Sequence, residues 1–289
     1  MRTIAMNSPD VAARAEAPDL RNFSGLLTLV GAGKMGGALL QGWLRFGIDP
    51  AQLAVLEPVP SSEISALGKR GVRLNPDTAT LRDVAAIVVA VKPQVAGDVL
   101  PRIAPMIAAS TVVVSIMAGR TLRFLAGALQ TSCALVRAMP NTPAAIGRGI
   151  TVAVPLGANR AQRDLAHRLL CATGTVEWID DEALMDAVTA VSGSGPAYVF
   201  LLAEALARAG AAAGLPADLA AKLARETVAG SGELLHQSVI DPAVLRENVT
   251  SPGGTTAAAL DVLMGPNGLA RLMNEAVQAA TERSRALAG

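Results

Sequence analysis

Apolar and polar positions follow two different rhythms along this chain. The run Leu26-Leu27-Thr28-Leu29-Val30 is apolar on both faces of an extended backbone. A glycine turn separates it from Met35 to Phe46, where apolar residues return at helical spacing. Further short apolar runs stand at Leu53 to Leu56, Ala85 to Val91, Thr111 to Ser115, Ala134 to Ala138 and Ile150 to Val154, most of them separated by helical stretches. Strands apolar on both faces, alternating with helices, predict a parallel sheet covered on both sides. After Trp178 the strand pattern ends. From Asp181 the chain reads as successive helices, with breaks predicted at Ser192-Gly193-Ser194-Gly195-Pro196, Gly214-Leu215-Pro216, Asp241-Pro242 and Ser251-Pro252-Gly253-Gly254. This reading divides the chain into a flexible extension over residues 1–24, an α/β doubly wound sheet domain over 25–180 and an all-helical domain over 181–289.

Composition sharpens this picture only in places. Hydrophobic residues make up 51% of the 289 residues and aromatics only 2%, with alanine supplying much of the apolar content, so closely packed helices are favoured over aromatic-rich barrels. Alanine-rich faces such as Ala203 to Ala213, in a helical segment too short to bury much surface alone, point to a homo-oligomer. The net charge of +1, from 25 basic and 24 acidic residues, leaves no basic field for nucleic acid. The longest apolar runs, such as Val84 to Val91, are strand-sized and short of a membrane span. Cys133 and Cys171 lack metal-ligand spacing and read as ordinary thiols of a reducing compartment. The first 24 residues carry no secretory signal pattern, so a cytoplasmic location is expected.

Candidate chemistry lies in the turns. Gly31-Ala32-Gly33-Lys34-Met35-Gly36 is a complete GxGxxG directly between a strand and a helix. The first glycine permits a tight turn, the second lets a pyrophosphate approach the backbone, and the third lets helix and strand pack closely. The sheet domain is therefore read as Rossmann-like and dinucleotide-binding. Glu57 ends the second strand, about 20 residues farther on, where an acid usually accepts from ribose hydroxyls. A carboxylate there favours NADH over NADPH. The alternative is a solvated strand-end glutamate, with Ser61 and Ser62 free to receive a phosphate.

Val91-Lys92-Pro93-Gln94 and Ser115 to Gly119 each follow a strand at the carboxyl edge, where ligands bind in such sheets. Arg137-Ala138-Met139-Pro140-Asn141-Thr142-Pro143 places a proline-stiffened loop at the same edge, as a pocket wall or a polar turn. The densest signal is Val249-Thr250-Ser251-Pro252-Gly253-Gly254-Thr255-Thr256, leading into a helix. Backbone amides, hydroxyls and a helix N-terminus converge there, which suits a carboxylate; a plain N-cap would need only one hydroxyl. His167 and His236 lie in helical stretches outside these motifs and read as surface residues, and no metal-binding or nucleophile-elbow motif is present.

These motifs, with Asp186 to Tyr198 and Asn248 through Leu263, resemble the pyrroline-5-carboxylate reductase family from about Leu26 to the C-terminus. The resemblance implies NADPH or NADH as cofactor, 1-pyrroline-5-carboxylate as substrate, L-proline as product and a helical dimerisation domain that builds homodimers or larger assemblies. It further implies that Gly31, Ala32, Gly33, Lys34, Met35, Gly36, Ala90, Val91, Lys92, Pro93, Ile116, Met117, Ala118 and Asn248 line the dinucleotide. Ser251, Gly253, Gly254, Thr255 and Thr256 would hold the substrate, with Thr256 as the catalytic hydroxyl at the ring nitrogen. Glu57 departs from the small polar or basic residues common there in NADPH-preferring members. Two other readings stand beside this one. A β-hydroxyacid dehydrogenase needs a catalytic lysine, and Lys222 lacks the glycine-rich context; a non-enzymatic dinucleotide sensor would not need the Ser251 to Thr256 loop.

Overall fold

The computed structural model describes residues 18–130 and 132–288. The predicted extension reaches mostly outside the described residues, but its last part is corrected. Leu20 (0% exposed) and Phe23 (5%) sit in the core. The Leu20 N–H donates to the Phe46 carbonyl and Gln52 Nε2 to the Phe23 carbonyl. Two apolar side chains at i and i+3 gave too short a pattern to stand out in a polar stretch.

The strands are β1 (Leu26–Val30), β2 (Leu53–Leu56), β3 (Arg73–Leu74), β4 (Val84–Val89), β5 (Val112–Ser115), β6 (Ala134–Met139), β7 (Gly149–Leu156) and β8 (Gly174–Trp178). They form one sheet in the order β3-β2-β1-β4-β5-β6-β7-β8. The helices are α1 (Lys34–Arg45), α2 (Ser62–Gly68), α3 (Ala96–Ile103), α4 (Leu122–Leu129), α5 (Arg160–Leu170), α6 (Met185–Val188), α7 (Gly195–Ala212), α8 (Ala217–Gln237), α9 (Pro242–Asn248), α10 (Thr255–Leu263) and α11 (Leu269–Ala288).

Successive residues of the central strands belong to opposite cores, as the two-residue period of an extended chain requires. Leu27, Leu29, Ala86, Val88, Val112 and Val114 pack with Trp43 of α1 and Leu169 of α5 on one face. Leu26, Val30, Ile87, Val89 and Val113 pack with Leu100 of α3 and Leu125 of α4 on the other. Trp43 is fully buried, and its Nε1 donates to the Leu169 carbonyl at 2.8 Å, tying α1 to α5. The doubly wound expectation holds, with one correction. All pairings are parallel except β6–β7, which is antiparallel. Only a 3-10 turn, Thr142–Ile146, joins β6 to β7, and a parallel crossover needs a dozen or more residues. Strands β3 and β8 were not foreseen.

The described chain folds as two compact units, a helical one over Gly195–Ala279 and a sheet unit comprising the residues up to Ser194 and those from Ala280. By compactness the division falls between Ser194 and Gly195. Met185 is buried against the sheet, and Glu182 is bound to Arg137 of β6, so this stretch goes with the strands. Within the sheet unit the end of α11 returns, with Ser284 Oγ donating to Asp186 Oδ1 at 2.7 Å. The predicted break at Ser192 to Pro196 is a π-turn over Thr189–Gly193 followed directly by α7. The Ser194 N–H reaches the Thr189 carbonyl five residues back, and the Ser192 and Thr189 hydroxyls donate to the Val188 and Met185 carbonyls, so the backbone turns without unwinding.

In the helical unit α7 and α8 pack on small residues, Gly210 against Ala220. Among its described residues only Ala220 and Ala224 are buried hydrophobics, while Phe200 (67% exposed), Leu201, Leu206, Leu223 and Val262 are open. The helical stretch Glu182–Ala212 contains an 18-residue window of mean hydropathy 1.3 and is, by length and composition only, long and apolar enough to cross a membrane. That corrects the expectation of strand-sized runs only, because interspersed Gly, Ser and Thr hide its length when uninterrupted runs are sought.

Candidate active site

The order of the central strands reverses at β1, leaving a crevice at the carboxyl ends of β1 and β4. The glycine loop lies there. Gly31 has φ +92°, open only to glycine at little cost, and a Cβ there would meet the Ala90 carbonyl at 2.8 Å. A Cβ on Gly36 would drive into the Gly31 carbonyl and press on the Ala90 methyl. Gly33 caps α1 with no side-chain hydrogen bond, so the first amides of that helix lack an intrahelical partner. With the helix dipole behind them, they suit a pyrophosphate. The residues therefore fit a dinucleotide.

A cavity of about 740 Å³ opens beside this loop, lined by Gly31, Glu57, Asn75, Ala90, Val91 and Lys92 among others. Lys92 is exposed and precedes a 3-10 turn, Pro93–Val95. Arg120, unforeseen, holds this turn to the one after β5: its Nη2 donates to the Pro93 carbonyl at 2.9 Å while its guanidinium lies 4.6 Å over the Phe124 ring. No motif marks it. Ile116 and Met117 are buried side chains, so at that turn only backbone and the exposed Ala118 can face a ligand.

Glu57 is not a free strand-end carboxylate. Its Oε2 accepts from the Ala32 N–H at 2.9 Å and its Oε1 from the Val59 N–H at 3.2 Å. Ser61 is the N-cap of α2, its Oγ accepting from the Ile64 N–H. It lines a second cavity of about 540 Å³ with Lys34, Gln41 and Arg45. Asn141 is structural: its Oδ1 accepts from the Ile150 N–H at 3.0 Å and locks the start of β7.

The hydroxyl-rich loop lies in the helical unit with Asn248, which is exposed at the end of α9. Gly253 has φ +71°, and Gly254 caps α10 without a side-chain bond. The amides of Thr255, Thr256 and Ala257 therefore have no intrahelical acceptor. Thr250, counted in the sequence among the loop hydroxyls, donates to the Arg246 carbonyl at 2.7 Å and serves α9 instead.

His167 is half-buried in a cluster, not a surface residue. The Trp178 indole N–H donates to its Nδ1 at 3.1 Å, so the neutral ring carries its proton on Nε2, 3.4 Å from Cys171 Sγ. Trp178 comes from β8, the strand the sequence pattern did not reveal. Burial pushes the Cys171 thiol up to about 11 and raises that of Cys133 as well. Among the described residues no group of His, Cys, Asp or Glu is arranged to hold a metal.

The profile described as pyrroline-5-carboxylate reductase dimerisation matches residues 182–287, and one described as NADP oxidoreductase, coenzyme F420-dependent, matches residues 26–119. The pyrroline-5-carboxylate reductase of Pseudomonas aeruginosa is 37% identical over 264 residues, covering 91% of this chain and 96% of its own. The chain belongs to the pyrroline-5-carboxylate reductase family. The enzyme of that name from Synechocystis is 40% identical over 267 residues, 90% of this chain and 97% of its own. Among solved structures, the Coxiella burnetii pyrroline-5-carboxylate reductase superposes with TM-score 0.84 at 31% identity, covering 91% and 98% of the two chains. The Plasmodium falciparum pyrroline carboxylate reductase with NADP bound gives 0.77 at 32%, covering 93% and 99%. This family's activity, NAD(P)H-dependent reduction of pyrroline-5-carboxylate in proline biosynthesis, accounts for both halves of the chain. A hydroxyacid dehydrogenase or a cofactor sensor does not.

Proposed function

We propose that the sheet unit holds the dinucleotide through Gly31 to Gly36, Glu57, Ala90 to Pro93 and Ile116 to Ala118, with Asn248 also at the cofactor. The loop of Ser251, Gly253, Gly254, Thr255 and Thr256 grips 1-pyrroline-5-carboxylate. The observation that carries this reading is the N-terminus of α10, which has no side-chain cap and whose first amides find no acceptor among the described residues. A substrate carboxylate meets that need and gains from the helix dipole. When bound, the reduced nicotinamide supplies the hydride that the imine carbon accepts. The protein's work is then alignment: the amides fix the carboxylate, and the Thr256 hydroxyl hydrogen-bonds the ring nitrogen and assists its protonation.

A carboxylate at Glu57 favours the unphosphorylated ribose of NADH. A second copy of the chain covers the open apolar residues of α7 and α8, giving a homodimer or a larger assembly of dimers and removing the need for a membrane or a nucleic-acid partner. The two unpaired cysteines suit the cytoplasm.

Oxidation of NADH and NADPH, followed with pyrroline-5-carboxylate, tests the roles. Thr256→Ala is expected to lower kcat/KM at least about tenfold, the scale of one lost charge-assisted hydrogen bond, and Thr256→Ser to restore most of it. Full activity and unchanged KM in Thr256→Ala would remove Thr256 from the reaction.

A further inference from the structure

Glu57 can select a cofactor only if its carboxylate is held still, and the end of β2 by itself does not hold it. The β2–β3 ladder has only two pairs, Ala54 with Arg73 and Val55 with Leu74. Past Val55, where the Asn75 N–H still reaches the Val55 carbonyl at 2.8 Å, no strand residue remains to meet the main chain of Glu57. The Asn75 side chain takes that place. Its Oδ1 accepts from the Glu57 N–H at 2.8 Å, and its Nδ2 donates to the Glu57 carbonyl at 2.9 Å. One carboxamide thus reproduces both bonds of a missing strand neighbour.

The demands on this position are unusual. Its backbone is left-handed, with φ 46°, and its side chain must offer a donor and an acceptor at short reach. Glycine meets only the first demand, aspartate lacks the donor, and glutamine is longer and less suited to the left-handed region. Asparagine meets both. With the Glu57 main chain clamped, its two carboxylate oxygens reach the Ala32 and Val59 amides, and each retains capacity to accept a further hydrogen bond, in a residue that lines the cavity together with Asn75. Lys92 and Arg102 line the same cavity, so a phosphate there meets cations as well as the carboxylate. Selection then depends on where the carboxylate is fixed.

We propose that Asn75 is a positioning residue for cofactor selection, clamping Glu57 so that its carboxylate accepts a ribose diol and repels a 2′-phosphate. This rests on the reading of Glu57 given above. The test is direct binding of NADH and NADPH to the full-length protein by titration calorimetry without substrate, in wild type, Asn75→Gly, Glu57→Ser and the double variant. Glycine keeps the left-handed backbone at this exposed position without strain, and tryptophan-monitored melting verifies the fold. Wild type is expected to bind NADH more tightly. Asn75→Gly is expected to shift the ratio of the two Kd values toward NADPH by on the order of tenfold, the scale of a like-charge contact at the surface. Glu57→Ser is expected to give a similar shift, with no further change in the double variant. An equal weakening of both cofactors by Asn75→Gly, or additive shifts in the double variant, would overturn the role of Asn75 and leave Glu57 as the selector. An unchanged ratio in Glu57→Ser would overturn the reading of Glu57 itself.

Discussion

Replacing Glu182 with alanine strands a buried cation. Arg137 of β6 has a side chain only 5% exposed, and its Nη1 lies 2.8 Å from Glu182 Oε1, whose own side chain is 28% exposed. The same oxygen accepts from the Leu122 N–H at 2.8 Å, at the first turn of α4. Three separate parts of the sheet unit therefore converge on one carboxylate oxygen. Removing one partner of a buried pair costs about 3–5 kcal/mol, and the partial exposure of Glu182 places this case near the lower figure. For a domain of roughly 150–250 residues, about 3 kcal/mol lowers Tm by about 6–12 °C. Thermal melting followed by tryptophan fluorescence reads this unit selectively, because the chain's 2 tryptophans, Trp43 and Trp178, both belong to it. Glu182→Gln, which keeps an acceptor oxygen but loses the charge, is expected to cost about 1–2 kcal/mol. The double variant Arg137→Met with Glu182→Leu is expected to recover much of the loss, since no charge stays buried. A drop under about 2 °C for Glu182→Ala, or a double variant as unstable as the single one, would refute the reasoning.

Gly36→Ala is expected to abolish measurable NADH and NADPH binding in calorimetry, because its Cβ has no space between the Gly31 carbonyl and the Ala90 methyl. Phe200→Asp is expected to shift the protein to monomer in light scattering, as it places a charge within the apolar face of α7. The Cys171 thiol, raised from 9.0 to about 11 by burial, stays protonated when folded while the unfolded thiol ionises. Its contribution is therefore intact below about pH 9 and is lost as pH rises toward 11, so wild type should lose more stability over that range than Cys171→Ala in urea titrations at successive pH values.

Much of the fold was legible because burial leaves a local trace. A strand covered on both faces must be apolar at nearly every position, and Leu26–Val30 and Val112–Ser115, each with a single polar residue, Thr28 and Ser115, announce themselves in that way. The glycine loop was equally legible, since Gly31 and Gly36 answer steric demands made within a few residues. The hydroxyl-rich loop showed for the same reason, although Thr250 proved to serve α9 rather than a ligand. Elements with weak local patterns were missed. The two residues of β3 have no period to detect, and β8 begins at Gly174 and shows mixed burial.

By itself, then, the sequence determined the alternation of strand and helix, the change to helices alone and the turns able to meet a phosphate or a carboxylate. Each of these follows from the conformational preferences and burial of neighbouring residues. Only the tertiary structure decided which distant groups complete them. The reversal at β7, the return of α11 to Asp186, the Trp178–His167 bond and the clamp of Asn75 on Glu57, 18 residues apart, all depend on strand order and chain path. A hydrogen bond across such a gap leaves no periodicity in either partner, so it becomes visible only once the sheet has brought the two together.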